Sequence, residues 1–87
     1  MDEEGEHMLI EDQLIRQEAF TTTEKRIADY LKANRETAVY MTIEELAKAT
    51  YTSHSAIIRL CKKLSFSGFR EFRFEFGREV HQMKAQF

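Results

Sequence analysis

The sequence of 87 residues contains no proline, three glycines and one cysteine. Proline and glycine form most tight turns, so their scarcity disfavours a β-sandwich or barrel and favours helices with short connections. A single cysteine excludes an internal disulfide and a zinc site built on several cysteines. No apolar run approaches the length of about 18 residues that a membrane-spanning helix needs, and the acidic start is unlike a secretory signal. These absences predict one α-helical cytoplasmic domain with no membrane partner.

Charge is distributed unevenly along the chain, although the formal net charge is only −2. Residues 1–24 carry eight acids and one base, whereas residues 25–87 carry twelve bases and seven acids. The net value therefore averages an acidic head and a basic body. For this reason a net charge of −2 does not exclude a nucleic-acid partner for the basic body.

Apolar periodicity and helix-start signals predict an all-α bundle of five to six helices. Residues 1–8 are expected to form a disordered leader. Thr21 with Glu24, and Thr42 with Glu45, have the form of a capping box, and Ser53 is expected to cap a further helix. The predicted helical segments are 8–18, 22–34, a short turn at 35–39, 43–49, 53–64 and a last helix that begins near 69.

The last predicted helix carries Phe69, Phe72 and Phe76 on one face, which predicts a core position for each of them. Cys61 is expected to be a small core residue rather than a reactive thiol. Phe74 falls off the phenylalanine face, which leaves a contact with a second subunit or another domain open.

Residues 42–64 have the pattern of a helix, a three-residue turn and a second capped helix. Ala47, Ile57 and Leu60 fit the inner contacts of a helix-turn-helix. The positions expected to point outward at the start of the second helix are small, polar or basic: Ser53, His54, Ser55, Ala56 and, one turn later, Arg59. A helix that recognises bases in the major groove needs small side chains at its N-terminal end, where the positive end of the helix dipole points toward phosphates.

Lys62 and Lys63 follow where contacts with phosphates are expected, and the Thr42 hydroxyl is a further candidate. Each of these assignments has a structural alternative. Ser53 also serves as a helix cap, His54 as an ordinary surface histidine, and Arg59 as a solvated side chain.

The sequence contains no pattern that predicts catalysis, a metal or a cofactor. His7, His54 and His81 are too far apart in sequence to have the spacing of metal ligands. There is no glycine-rich phosphate loop, no nucleophile elbow and no arrangement of paired carboxylates. We therefore expect that the chain is not an enzyme.

Five segments of the chain form a recognisable series: Phe20–Glu24, Ile27–Leu31, Thr42–Ala47, Thr52–Leu64 and Phe66–Phe72. In this order and spacing, they resemble the N-terminal helix-turn-helix domain of the RpiR family of phosphosugar-responsive bacterial transcription regulators. The resemblance covers about residues 9–80, and its specific part is Arg-x-Cys-x-Lys-Leu followed by Phe-Ser-Gly-Phe-x-Glu-Phe.

The resemblance implies a homeodomain-like helix-turn-helix domain, over residues 9–82, that binds double-stranded operator DNA as a homodimer. It assigns the reading role to Ser53, His54, Ser55 and Arg59, and basic positions near phosphates to Lys62 and Lys63. It also implies a C-terminal sugar-isomerase (SIS) domain that binds a phosphosugar effector and controls genes of carbohydrate metabolism. That domain would be absent here, and residues 83–87 would begin the linker to it.

The chain departs from the family pattern at two positions. Tyr51 and Ser65 stand where the family often has glycine, so each turn must avoid a left-handed backbone or accept some strain. The alternative function is a small helical protein-interaction module that dimerises without binding DNA. The first helix and the last are both candidates for the dimer surface.

Overall fold

The computed structural model describes residues 9–85, and these residues form six α-helices without a strand. The predicted all-α fold with a helix-turn-helix is therefore confirmed. The helices are α1 (Ile10–Arg16), α2 (Thr22–Ala33), α3 (Arg35–Ala38), α4 (Ile43–Thr50), α5 (His54–Lys63) and α6 (Phe69–Ala85). The leader expected at residues 1–8 lies outside the described residues, and α6 continues three residues past the predicted domain end at 82.

The helices begin where the sequence predicts capping residues. Thr21 and Thr42 each accept a hydrogen bond from the backbone N–H three residues on, at 3.1 Å, and the glutamate there accepts one in return. Both capping boxes are thus present. The cap fixes the first turn of α4, which in turn sets the position of the helix that follows it.

The core lies where α2, α4, α5 and α6 meet. Phe72 and Phe76 stack with ring centroids 5.2 Å apart, and the Phe66 ring meets Phe72 edge-on at 5.8 Å. Cys61 is buried against this core, as predicted, whereas Phe69 is only partly buried. The aromatic face of α6 therefore packs against the inner side of α5.

The helix α1 buries Ile10 and Leu14 in the core and is also held by charged side chains from distant parts of the chain. Glu79 accepts hydrogen bonds from the backbone N–H groups of Ile10 and Glu11 at 2.9 and 2.8 Å. The Leu9 side chain provides no cap, so the carboxylate of Glu79 satisfies N–H groups that the helix leaves free. Arg35 forms a two-pronged ion pair with Glu11.

Within residues 9–85, no helix combines the length and the apolar composition needed to cross a membrane.

Candidate nucleic-acid interface

The turn between α4 and α5 consists of Tyr51, Thr52 and Ser53. Tyr51 has a left-handed backbone with φ 58° and ψ 43°, and the N–H of Thr52 donates to the carbonyl of Ala47 at 2.9 Å. The Thr50 hydroxyl, 2.8 Å from that of Thr52, also donates to the Leu46 carbonyl at 2.8 Å. Tyr51 thus accepts the strain that a glycine would avoid, and hydrogen bonds on both sides hold the turn.

The helix α5 divides cleanly into an inner and an outer face. The buried positions are Ala56, Ile57, Leu60 and Cys61. The exposed positions, which we call the outward face of α5, are His54, Ser55, Ile58, Arg59, Lys62 and Lys63. The expectation that Ala56 points outward is wrong: it is 4% exposed, because the apolar stripe that contains Ile57 and Leu60 also includes it.

The N-terminal end of α5 is open to solvent. Ser53 is exposed and its hydroxyl oxygen accepts from the backbone N–H of Ala56 at 3.1 Å, so its cap role is present. The hydroxyl proton stays available for an acceptor outside the chain. His54 and Ser55 are exposed beside it. At the start of α4, Thr42 is also exposed and also acts as a cap.

Arg59 and Lys62 carry the positive charge of the outward face. Neither forms an ion pair or side-chain hydrogen bond with any residue that the structure describes, and both are exposed. Two unpaired cations on successive turns of one helix face form an electropositive strip without a neutralising acid on the same helix.

Lys63 has a different environment from the one expected for a residue that contacts phosphates. Its ammonium donates to the Glu24 carboxylate at 2.6 Å and to the carbonyl of Ala19 at 2.5 Å. We call these contacts the Lys63–Glu24 latch. Because the ammonium already has two partners within the chain, we assign Lys63 the positioning of α5 against α2, and its contact with phosphates stays a prediction.

The latch holds a buried carboxylate. Burial alone raises the pKa of Glu24, but the hydrogen bonds from Lys63 and from the Thr21 backbone outweigh burial, and the net pKa lies below its usual value. The second carboxylate oxygen is buried without a hydrogen-bond partner among the described residues. Glu24 therefore depends on Lys63 and the Thr21 N–H to remain charged in the core.

Two exposed residues beside the interface carry no role in the sequence-based prediction. Ile58 lies on the outward face, and Tyr51 is 86% exposed in the turn before α5. A sequence pattern could have shown that Ile58 is exposed. It lies four residues after His54 and four before Lys62, on the polar side of the helix and outside the apolar stripe.

No group of three or more His, Cys, Asp or Glu side chains within residues 9–85 is arranged to hold a metal ion. Burial raises the pKa of the Cys61 thiol to about 12, so the sulfur stays protonated at neutral pH and is a poor nucleophile.

The chain is similar to known regulators in sequence. It is 45% identical over 47 residues to the HTH-type transcriptional regulator GlvR of Bacillus subtilis, an alignment covering 54% of this chain and 18% of GlvR. It is 31% identical over 64 residues to an uncharacterized HTH-type transcriptional regulator of Clostridium perfringens, with 74% of this chain and 23% of the relative covered. The chain thus spans about a fifth of the length of these relatives.

Its fold is also similar to a solved structure. The Vibrio vulnificus NanR protein, complexed with ManNAc-6P, matches with a TM-score of 0.79 and 29% identity over 83% of this chain and 28% of the NanR chain. The family model described as the helix-turn-helix domain of the rpiR family matches residues 8–83. With its capped helix-turn-helix and the open face of α5, the chain belongs to the rpiR family as the helix-turn-helix domain of a transcriptional regulator.

Proposed function

We propose that the chain binds double-stranded operator DNA by placing the N-terminal half of α5 in the major groove. The observation that carries this proposal is the outward face of α5, where Arg59 and Lys62 have no partner among the described residues. Ser53, His54, Ser55 and Arg59 face base edges or nearby phosphates, and Lys62 contacts the phosphate backbone. Thr42 offers its hydroxyl to a phosphate at the start of α4.

The DNA-binding unit is a homodimer that presents two copies of α5 to successive major grooves, about 34 Å apart on one face of the duplex. The domain has principal extents of 38 × 28 × 20 Å, so two copies side by side are the right size for that spacing. The protein acts in the cytoplasm, where bacterial DNA lies, and we propose no catalytic activity for it.

The regulator controls genes of carbohydrate metabolism and responds to a phosphosugar bound by a C-terminal SIS domain outside these 87 residues. The ManNAc-6P complex of NanR supports this proposal, as does the small share of the regulators' length that this chain covers. We expect ManNAc-6P to leave the melting temperature of the 87-residue chain unchanged. A clear thermal shift would contradict an effector site outside these residues.

Binding of fluorescent random-sequence duplex DNA, titrated at several salt concentrations, tests the DNA-binding function. We expect Arg59→Ala and Lys62→Ala to weaken binding, with Lys62→Ala lowering the slope of log K against log salt by about one. Matched controls are Lys25→Ala and Arg26→Ala on α2, which remove exposed charges of the same type that have no ion pair among the described residues and lie outside both candidate dimer helices. Absence of duplex binding at low salt, or equal effects of all four variants, would contradict the proposal.

A protein-interaction module is the second candidate, because Phe74 on α6 is 65% exposed. If the chain self-associates through this side chain, Phe74→Ser will shift it from dimer to monomer in analytical ultracentrifugation. Self-association through Phe74 without any duplex binding would favour this second function.

A further inference from the structure

Ile58 is the one apolar side chain on the outward face of α5, and it is 37% exposed. His54 lies one turn before it and Lys62 one turn after it, with Arg59 beside it on the same face. The inner stripe of α5 is already complete without Ile58, since Ile57 and Leu60 are 1% and 2% exposed. Ile58 belongs neither to the hydrophobic core cluster nor to the partly buried side chains that pack against it, so the core does not account for an isoleucine at position 58.

A single exposed apolar residue is ordinary on a protein surface, so exposure alone carries no argument. The position and shape of Ile58 carry it. The residue lies in the second turn of α5, within the half of the helix that enters the groove in the proposed complex. A β-branched side chain has essentially one rotamer in a helix, so it presents its methyl groups without losing much conformational entropy on binding.

The major groove has one apolar feature that fits such a side chain, the C5-methyl group of thymine. Cytosine presents an amino group at the neighbouring position, and an isoleucine cannot accept its hydrogen bond. Contact with Ile58 therefore favours thymine and leaves the cytosine amino group without a partner.

We propose that Ile58 is a specificity-determining residue that selects thymine by packing against its C5-methyl group. This inference rests on the proposed DNA-binding function. It adds that one base position in each half-site is read by apolar contact rather than by a hydrogen bond.

The experiment begins with a duplex selected from a random-sequence library by the 87-residue chain. Each thymine of that duplex is then replaced in turn by deoxyuridine, which lacks only the methyl group, in both half-sites when the sequence is palindromic. We expect one position where the wild-type chain loses about fourfold in affinity per half-site, the contribution of one buried methyl group.

The Ile58→Ala variant is expected to bind the thymine duplex more weakly than the wild type and to lose no further affinity at that deoxyuridine position. We expect the variant to fold, because Ile58 lies outside the hydrophobic core cluster and alanine is the best helix former. Ile15→Ala is the matched control, since Ile15 is 57% exposed on α1, outside the outward face of α5. It should keep the wild-type response to deoxyuridine.

The outcomes separate the two levels of the proposal. If the wild type and Ile58→Ala both bind the duplex and lose the same affinity at each deoxyuridine position, the role of Ile58 is overturned and the DNA-binding function still holds. A selection that enriches no duplex, together with absence of low-salt binding, would overturn the DNA-binding function itself.

Discussion

At its first turn, α5 presents His54 and Ser55 to solvent without side-chain partners among the described residues, whereas at its last residue Lys63 is tied to Glu24 and Ala19. Both ends carry polar side chains of the kinds that contact DNA; those of the first turn and of Lys62 have no partner among the described residues, whereas the Lys63 ammonium has two. The difference indicates that residue type alone does not identify a nucleic-acid contact. A cation that neutralises a buried carboxylate belongs to the fold, and a cation without a partner is available to a ligand.

Removal of the Lys63 ammonium should have the largest effect on stability. Lys63→Met leaves the buried Glu24 carboxylate without its cation, and we expect a loss of about 2–3 kcal/mol, less than for a fully enclosed pair because the lysine is partly exposed. Urea denaturation followed by circular dichroism measures this loss. Lys62→Met, one residue away and without an ion pair within residues 9–85, is the control and should change stability by less than about 0.5 kcal/mol.

The double variant Lys63→Met with Glu24→Gln sharpens the assignment. Glutamine removes the stranded charge and still accepts from the Thr21 N–H in the capping box, so part of the lost stability should return. If the double variant is no more stable than Lys63→Met alone, the buried charge is not the cause of the loss.

Acid should act on the same latch with a smaller effect. The pKa of Glu24 is lower in the folded protein than its usual value. The charged carboxylate therefore contributes its full stability at any pH above the usual pKa, and this contribution is lost as the pH falls through the lower, folded pKa. Urea midpoints measured between pH 7 and pH 3 should therefore decrease less for Glu24→Gln than for the wild type. Parallel pH profiles for the two proteins would contradict this role of Glu24.

At the other end of α5, Ser53 combines a cap with a candidate phosphate contact, and two substitutions separate these roles. Ser53→Ala should cost about 1 kcal/mol in stability, because the Ala56 N–H loses its acceptor. Ser53→Asp keeps a good cap and should keep the stability, but its charge should weaken binding to duplex DNA. Wild-type DNA affinity of Ser53→Asp would show that Ser53 is a cap only.

The local features of the fold were predictable from the sequence, because they depend on neighbours along the chain. The two capping boxes and the Phe72–Phe76 face involve residues three or four apart, and the structure has each of them. The contacts that join distant segments were not predictable. No local pattern shows that Glu79 caps α1 from 68 or 69 residues away or that Lys63 pairs with a residue 39 positions earlier.

The candidate site likewise has a part that local sequence predicts and a part that depends on distant contacts. Sequence reasoning located the helix that carries the outward face and its inner residues Ile57 and Leu60, but it placed Ala56 outward and gave Ile58 no role. Alanine is small enough for either face, so its identity gave no direction. The contacts of α5 with the rest of the bundle decide the rotation, and these arise from residues outside the motif.

The turns that flank α5 provide the last comparison, because Tyr51 and Ser65 both have a positive φ, at 58° and 77°. Non-glycine residues are strained in this region, so Tyr51→Gly and Ser65→Gly should each raise stability by about 0.5–1 kcal/mol after the entropy of glycine is subtracted. Thermal denaturation of the two variants measures this gain.

Only Tyr51 lies beside the end of α5 that faces DNA in the proposed complex, so duplex affinity should fall for Tyr51→Gly and stay unchanged for Ser65→Gly. Equal affinities for both variants would remove the exposed Tyr51 ring from the interface and confine contact to α5 and the start of α4.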